Sequence, residues 1–250
     1  MTQSRQPIFN VPGVVVAVLA VMLALHLVRL FLLSPKTELE FLFLLAFIPA
    51  RYDAALLIGG TMPGGLAADI WTFVTYSLIH TDFMHLGFNS IWLLAFGTPV
   101  ARRFGAWRFL LFFAVTAAAG AAAHLLTHAR ELQPMVGASA SVSGYMAAAM
   151  RFAFQRGGPI WARGDDPAIY RLPALPLREV LRDRRVLIFL AVWFGLNFLF
   201  GFGSLSITGS EQSIAWQAHI GGFVAGLLLF GWFDPVSPRR DDDASAPAAA

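Results

Sequence analysis

Residues Ile214–Phe233 read IAWQAHIGGFVAGLLLFGWF, an apolar run with no lysine, arginine, aspartate or glutamate in it. At about 1.5 Å per residue, such a run crosses the roughly 30 Å core of a bilayer as one helix. His219 interrupts it one to two turns from its start. An imidazole at that depth is costly in hydrocarbon, so it needs a partner or a task. His219, Gly222 and Gly226 share a face at i, i+3 and i+7, the small-residue spacing that brings two membrane helices backbone to backbone.

A second run, Met135–Phe154, offers the matching surface in Ser139, Ser143, Gly144 and Ala147, and it opens with Gly137-Ala138-Ser139. Val14–Leu33, Phe83–Val100, Phe109–Leu126 and Val186–Phe202 complete a set of six candidate crossings. In lipid, every backbone polar group must be satisfied internally, which favours helices. The expected fold is an all-α membrane protein, a six-transmembrane-helix bundle over residues 14–233. A short N-terminus (1–13), a first loop (34–82), a basic cytoplasmic loop (155–185) and a disordered tail (234–250) complete the chain. Within the first loop, Phe41–Ile48 is apolar but too short to cross before Pro49 ends it, so it is expected in the membrane interface or dipping partway in.

The 250-residue composition agrees: 57% of residues are hydrophobic and only 13% charged, with a mean hydropathy of +0.64. The absence of cysteine excludes disulfides, iron–sulfur clusters and thiolate zinc sites. A net charge of +3 is read as topology and contact with anionic lipid, not as nucleic-acid binding. With the N-terminus in the cytoplasm, Arg29, Lys36, Arg51 and Arg130 face outside and the other 14 of the 18 Lys and Arg face inside. The positive-inside rule therefore puts both termini in the cytoplasm of an inner-membrane protein.

This topology delivers four chemical groups to one outer-leaflet layer. His85 and Asn89 stack at i and i+4 on the second crossing, Ser139 opens the fourth, and His219 lies about 7 Å down the sixth. A serine hydroxyl becomes a nucleophile beside a base, and imidazole suits that role near neutral pH. Asn89, His85 and the Ser139 backbone N–H are donors available to a developing oxyanion. The crossings contain no Asp or Glu, the nearest acids being Asp82, Glu131 and Glu211, so a Ser–His dyad is expected without a third acidic member.

The order His80-Thr-Asp-Phe-Met-His85-Leu-Gly-Phe-Asn89, Phe96-Gly97, Gly137-Ala-Ser139 and Ala218-His219-Ile-Gly-Gly222-Phe-Val-Ala-Gly226 resembles the rhomboid family of intramembrane serine proteases, of the six-span prokaryotic type. The resemblance runs from about Pro49 to Phe233. It implies Ser139 as nucleophile, His219 as general base, and His85 and Asn89 as oxyanion-hole side chains. It also implies cleavage of transmembrane protein substrates in or near the membrane, with a small residue before the cut and no ATP, metal or other cofactor. Gly137, Gly222 and Gly226 support the helix packing; Phe41–Pro49 corresponds to the family's first loop, and Gly203–Ser213 to the cap over its site. Three positions depart from the pattern: Ala140 follows Ser139 where the family has glycine, Trp71-Thr72 replaces a Trp-Arg pair, and Ser143 stands where some members carry an aromatic.

Other readings predict different features. A catalytically inactive relative that binds transmembrane clients is favoured by Ala140. A metalloprotease requires a His-Glu-x-x-His motif and an aspartyl protease paired intramembrane aspartates, and neither occurs. A transporter predicts inverted repeats, and none is apparent. Ser141 and Ser143 are assigned to helix packing, and His80 to a solvated membrane edge with a structural role by resemblance. His26 with Arg29 is read as snorkelling. His124 and His128 have metal-ligand spacing without an apparent third ligand, so they are assigned to the interface. Trp107, Trp161, Trp193 and Trp232 read as interface anchors or packing.

Overall fold

A computed structural model describes residues 10–57, 60–160, 166–202 and 215–237. Gly203–Ser213, Trp161 and the tail beyond Ser237 lie outside these. The regular structure among the described residues is helical, apart from one isolated antiparallel bridge between Phe47 and Met135. The helices are α1 (Gly13–Phe31), α2 (Pro35–Leu45), α3 (Gly65–Thr75), α4 (Phe83–Trp92), α5 (Thr98–Phe104), α6 (Ala106–Thr127), α7 (Ser139–Met150), α8 (Leu177–Val180), α9 (Arg184–Phe202) and α10 (Trp216–Phe233). By length and composition, α1, α6 and α10 are apolar enough to cross a membrane. The protein is an all-α, multi-pass membrane protein.

Two of the expected crossings take other forms. Phe83–Phe104 is one rod in which α4 and α5 are joined by a π-turn over Leu93–Gly97. Pro99 is the cause: it has no N–H for the Ala95 carbonyl four residues back, and its ring clashes there. The fourth stretch is helical only over Ser139–Met150, shorter than Met135–Phe154. Its lead-in is extended because Gly137 sits at φ +122°, which L side chains disfavour, and its N–H is taken by the Tyr76 carbonyl at 3.0 Å. Every residue from Ala140 to Met150 is buried. Irregular backbone is tolerated at membrane depth only where protein encloses it, and this segment meets that condition.

α6, α7 and α10 form the hub, packed through glycines. A Cβ added to Gly226 would stand 2.5 Å from the Gly144 oxygen, and one on Gly144 would meet Thr116 Cγ2 at 2.6 Å. Gly221 lies as close to the Ala119 oxygen, 2.7 Å from such an atom. The Gly226–Gly144 and Gly221–Ala119 contacts are backbone on backbone, as the small-residue stripe predicts, and Gly144 makes room for the Thr116 side chain.

The first loop is anchored by a residue that sequence reasoning passed over. Arg51 is 3% exposed and bonds the Phe43 carbonyl, the Pro63 carbonyl and Asp69 Oδ1, the last two at 3.2 Å. It ties α2 to α3, so the missing arginine after Trp71 does not leave the loop without a cationic anchor. Trp71 itself donates to the Leu44 carbonyl at 2.6 Å. Ala46, Phe47 and Ile48, the end of the apolar piece, are fully buried in the protein.

At the opposite end Asp234 is held, not loose as its place in the expected tail implied. Its carboxylate receives two bonds of 2.8 Å from Arg103 Nε and Nη2, while Arg103 Nη1 donates to the carbonyls of Tyr170 and Leu172. The Arg103 and Asp234 side chains are 0% and 7% exposed. A buried pair so fully hydrogen-bonded offsets its own desolvation.

Candidate functional site

Ser139 is the first residue of α7, and no side chain caps that helix. Its first-turn N–H groups therefore point, unpaired within the helix, toward whatever lies beyond the N-terminus. Ser139 is half-buried, as are His85 and His219, whereas Asn89 is buried. A Cβ on Gly137 would stand 2.7 Å from His85 Nε2 and 3.8 Å from Ser139 Oγ. The bare α-carbon of Gly137 thus lets the imidazole edge and the hydroxyl flank one point.

α10 brings His219 in from the other side. A Cβ on Gly222 would meet Ala140 backbone atoms, 2.7 Å from its carbonyl carbon. Ala140 follows Ser139, and Gly222 is one turn from His219, so this seam sets the spacing of the two. The Ala140 methyl lies over Gly120 of α6, where an added Cβ would be only 2.5 Å away. Gly120 supplies the room that the departure from the glycine pattern requires.

Among the described residues no hydrogen bond joins Ser139 Oγ to His219, contrary to the reach expected from the small-residue seam. Such bonds are often long in a resting site and tighten around substrate. His219 instead bonds Asn197 of α9, with Nδ1 2.5 Å from Oδ1. The roles can be assigned. Asn197 Nδ2 donates to the Trp193 carbonyl at 2.8 Å, which fixes Oδ1 as the acceptor. His219 Nδ1 therefore carries its proton, and Nε2 is left with the lone pair. Sequence reasoning looked for an acid as the orienting group and overlooked an amide; the one clue was a lone asparagine in the apolar run Val186–Phe202.

The other half of the site is capped by Asp82. Its Oδ1 accepts the His85 N–H at 2.8 Å, and its Oδ2 accepts the Thr81 hydroxyl at 2.9 Å. With that proton committed, Thr81 Oγ1 accepts from His85 Nδ1, 3.0 Å away. Burial pushes the Asp82 carboxyl up, but these bonds outweigh it and hold the group below its ordinary value. Asn89 Nδ2 uses one hydrogen on the His85 carbonyl at 2.9 Å and keeps the other.

Three peripheral histidine readings change. His80 is fully buried, not solvated; its Nε2 accepts the Ala138 N–H at 3.4 Å. Its carbonyl receives Arg29 at 2.6 Å and lies 3.2 Å from His26 Nδ1. Arg29 and His26 therefore do not snorkel: both are buried, and Arg29 also reaches Glu38. They hold the loop before α4 against α1. At His124 and His128 the fold adds Glu131, so a third metal-ligating group is present after all. Ser141 and Ser143 bond the Phe113 and Ser139 carbonyls at 2.9 and 2.7 Å, as packing residues do. Trp107 and Trp232 are exposed, and Trp193 stacks on Phe223.

Comparison with known proteins gives a consistent result. A family model described as Rhomboid domain matches residues 67–234. The chain is 24% identical over 163 residues to the rhomboid protease GlpG of Serratia proteamaculans, covering 65% of this chain and 48% of that protein. It is 27% identical over 191 residues to that of an Enterobacter species, covering 75% and 58%. With the protein of that name from Salmonella choleraesuis it shares 24% over 175 residues, covering 70% and 52%. The chain spans about half the length of the curated relatives it matches.

Proposed function

The chain belongs to the rhomboid family, and from that premise we propose that it is an intramembrane serine endopeptidase working through Ser139 and His219. His219 Nε2, left basic by the Asn197 bond, takes the Ser139 proton as Oγ attacks a substrate carbonyl carbon. The oxyanion forms against the Ser139 N–H at the start of α7 and the free hydrogen of Asn89; His85, whose neutral form keeps its proton on Nδ1 toward Thr81, donates from Nε2 only as the imidazolium. Collapse breaks the C–N bond, and the imidazolium returns its proton to the leaving amine. A water molecule then releases the acyl group by the same relay. The chemistry calls for no metal, nucleotide or other cofactor.

The single observation that carries this reading is the Asn197–His219 bond, because it orients an imidazole and fixes its tautomer as a general base requires. The substrates are transmembrane proteins whose helices unwind locally, since a fully hydrogen-bonded helix does not present an extended peptide bond. The proposed setting is the inner membrane, with six crossings, the site in the outer leaflet and both termini in the cytoplasm. Cleavage of a generic transmembrane substrate by wild type, Ser139→Ala and His219→Ala tests it. Each change should abolish turnover as fully as both together; substantial cleavage by either variant would refute it.

A second reading, an inactive relative that binds transmembrane clients, is favoured by the absence of a Ser139–His219 hydrogen bond among the described residues. Labelling by a fluorophosphonate probe that disappears in Ser139→Ala excludes it; a well-folded protein that never labels supports it.

A further inference from the structure

We propose that His124, His128 and Glu131 form a transition-metal site, best suited to zinc. One ligand atom from each lies within 4.8 Å of the others. His124 and His128 sit one turn apart at the C-terminal end of α6, their rings stacked at 4.7 Å. The turn Glu131 N–H to His128 carbonyl, 3.0 Å, folds the carboxylate back over them.

Three features distinguish this cluster from an ordinary ion pair. First, Glu131 Oε2 is 3.2 Å from His124 Nε2, yet that oxygen and His124 Nδ1 are both buried without a hydrogen-bond partner. Buried polar atoms are seldom left so. Second, the tautomer of His128 is set for ligation. Thr127 Oγ1 donates to the His124 carbonyl at 3.0 Å, so it accepts from His128 Nδ1 at 2.8 Å and leaves Nε2 with its lone pair. A hydrogen bond on the second ring nitrogen is the usual support of a metal-bound histidine. Third, two imidazoles and a carboxylate are the donor set of an open zinc site, with water completing the tetrahedron. Bonds of about 2.0–2.2 Å require the ligands to close by about 1 Å, which rotation of the half-exposed His128 and Glu131 side chains supplies.

The site joins the end of α6 to the segment leading through Met135 and Gly137 to Ser139. The Glu131 carbonyl also accepts the Ala50 N–H at 2.9 Å. Metal there clips the approach to α7 against the first loop. The site is separate from Ser139 and His219, and it stands whether or not they catalyse.

The test uses full-length protein in detergent, freed of affinity tag and stripped with EDTA. Zinc chloride is titrated calorimetrically, and cobalt(II) is followed by its visible absorption. The expected result is one ion per chain, the strong absorption of a four-coordinate cobalt, and a higher unfolding temperature with zinc. His128→Gln and Glu131→Gln should each weaken binding at least about tenfold, with unfolding in EDTA unchanged. Their exposure makes both variants tolerable to the fold. No saturable binding, or binding unmoved in both variants because zinc sits at other histidines, would overturn the proposal.

Discussion

Replacing Gly222 by alanine tests whether the α7–α10 seam sets the spacing of Ser139 and His219. The new methyl would lie 2.7 Å from the Ala140 carbonyl carbon and 2.9 Å from its Cα. Carbon atoms in ordinary contact stand about 3.5–4 Å apart, so α10 must retreat from α7 by about 1 Å. The obstructing atoms are backbone and cannot swing aside. His219 lies three residues before Gly222 and Ser139 immediately before Ala140, so the retreat reaches both groups. Overpacking of this kind costs about 1–3 kcal/mol of stability, and misplacing reacting groups by about 1 Å costs on the order of 100-fold in rate. Gly231→Ala, on the same helix, is the control: no atom lies within 4 Å of its added Cβ, and alanine there gains up to about 1 kcal/mol of helix propensity. The measurements are kcat/KM on a transmembrane substrate and thermal unfolding. Gly222→Ala should lose about 100-fold activity while remaining folded, and Gly231→Ala should match wild type. Wild-type kcat/KM in Gly222→Ala would refute the seam as the determinant of spacing.

Asn197→Ala removes the acceptor for His219 Nδ1 and should lower kcat about 10–100-fold with little change in KM; Asn197→Asp, which keeps an acceptor, should retain more activity, and equal rates in all three would dismiss an orienting role. Asp82 caps α4, so Asp82→Ala should cost about 1 kcal/mol near neutral pH. Because its folded pKa is depressed, the capping contribution is complete above the unfolded value and fades as pH falls through the folded one. Thermal stability of wild type should therefore drop below about pH 4 by a component that Asp82→Asn lacks; superimposable pH curves would contradict the assignment. Arg51→Met strands the Phe43 and Pro63 carbonyls and should cost about 2 kcal/mol, read as faster proteolysis within residues 34–82; an unchanged digestion rate would show that the loop is anchored elsewhere.

Much of this was legible in the chain because lipid makes polar residues expensive and therefore conspicuous. Ser139, His85, Asn89 and His219 were visible as costly groups at one depth, and Gly222 and Gly226 as a contact stripe. Asn197 followed the same rule, but its partner lies 22 residues on and carries no charge to signal a pair. Arg51 and Glu131 were hidden for another reason: they act through loops whose paths are set by tertiary packing. The late start of α7 depends on a positive φ at Gly137 and on the Tyr76 carbonyl, neither of which a hydropathy run encodes.

The π-turn over Leu93–Gly97 phases the two halves of the rod that carries His85 and Asn89. Each residue of a helix advances it by about 100°, and a π-turn holds one more residue than the α-turn it replaces. Excising a single residue from this stretch would restore regular winding. Because the wide turn takes up that residue within a single revolution, His85 and Asn89 would keep nearly their present bearing toward Gly137. The same excision from regular α-winding would rotate them by about 100°, so the wide turn is where this rod tolerates a change of length without losing its aim.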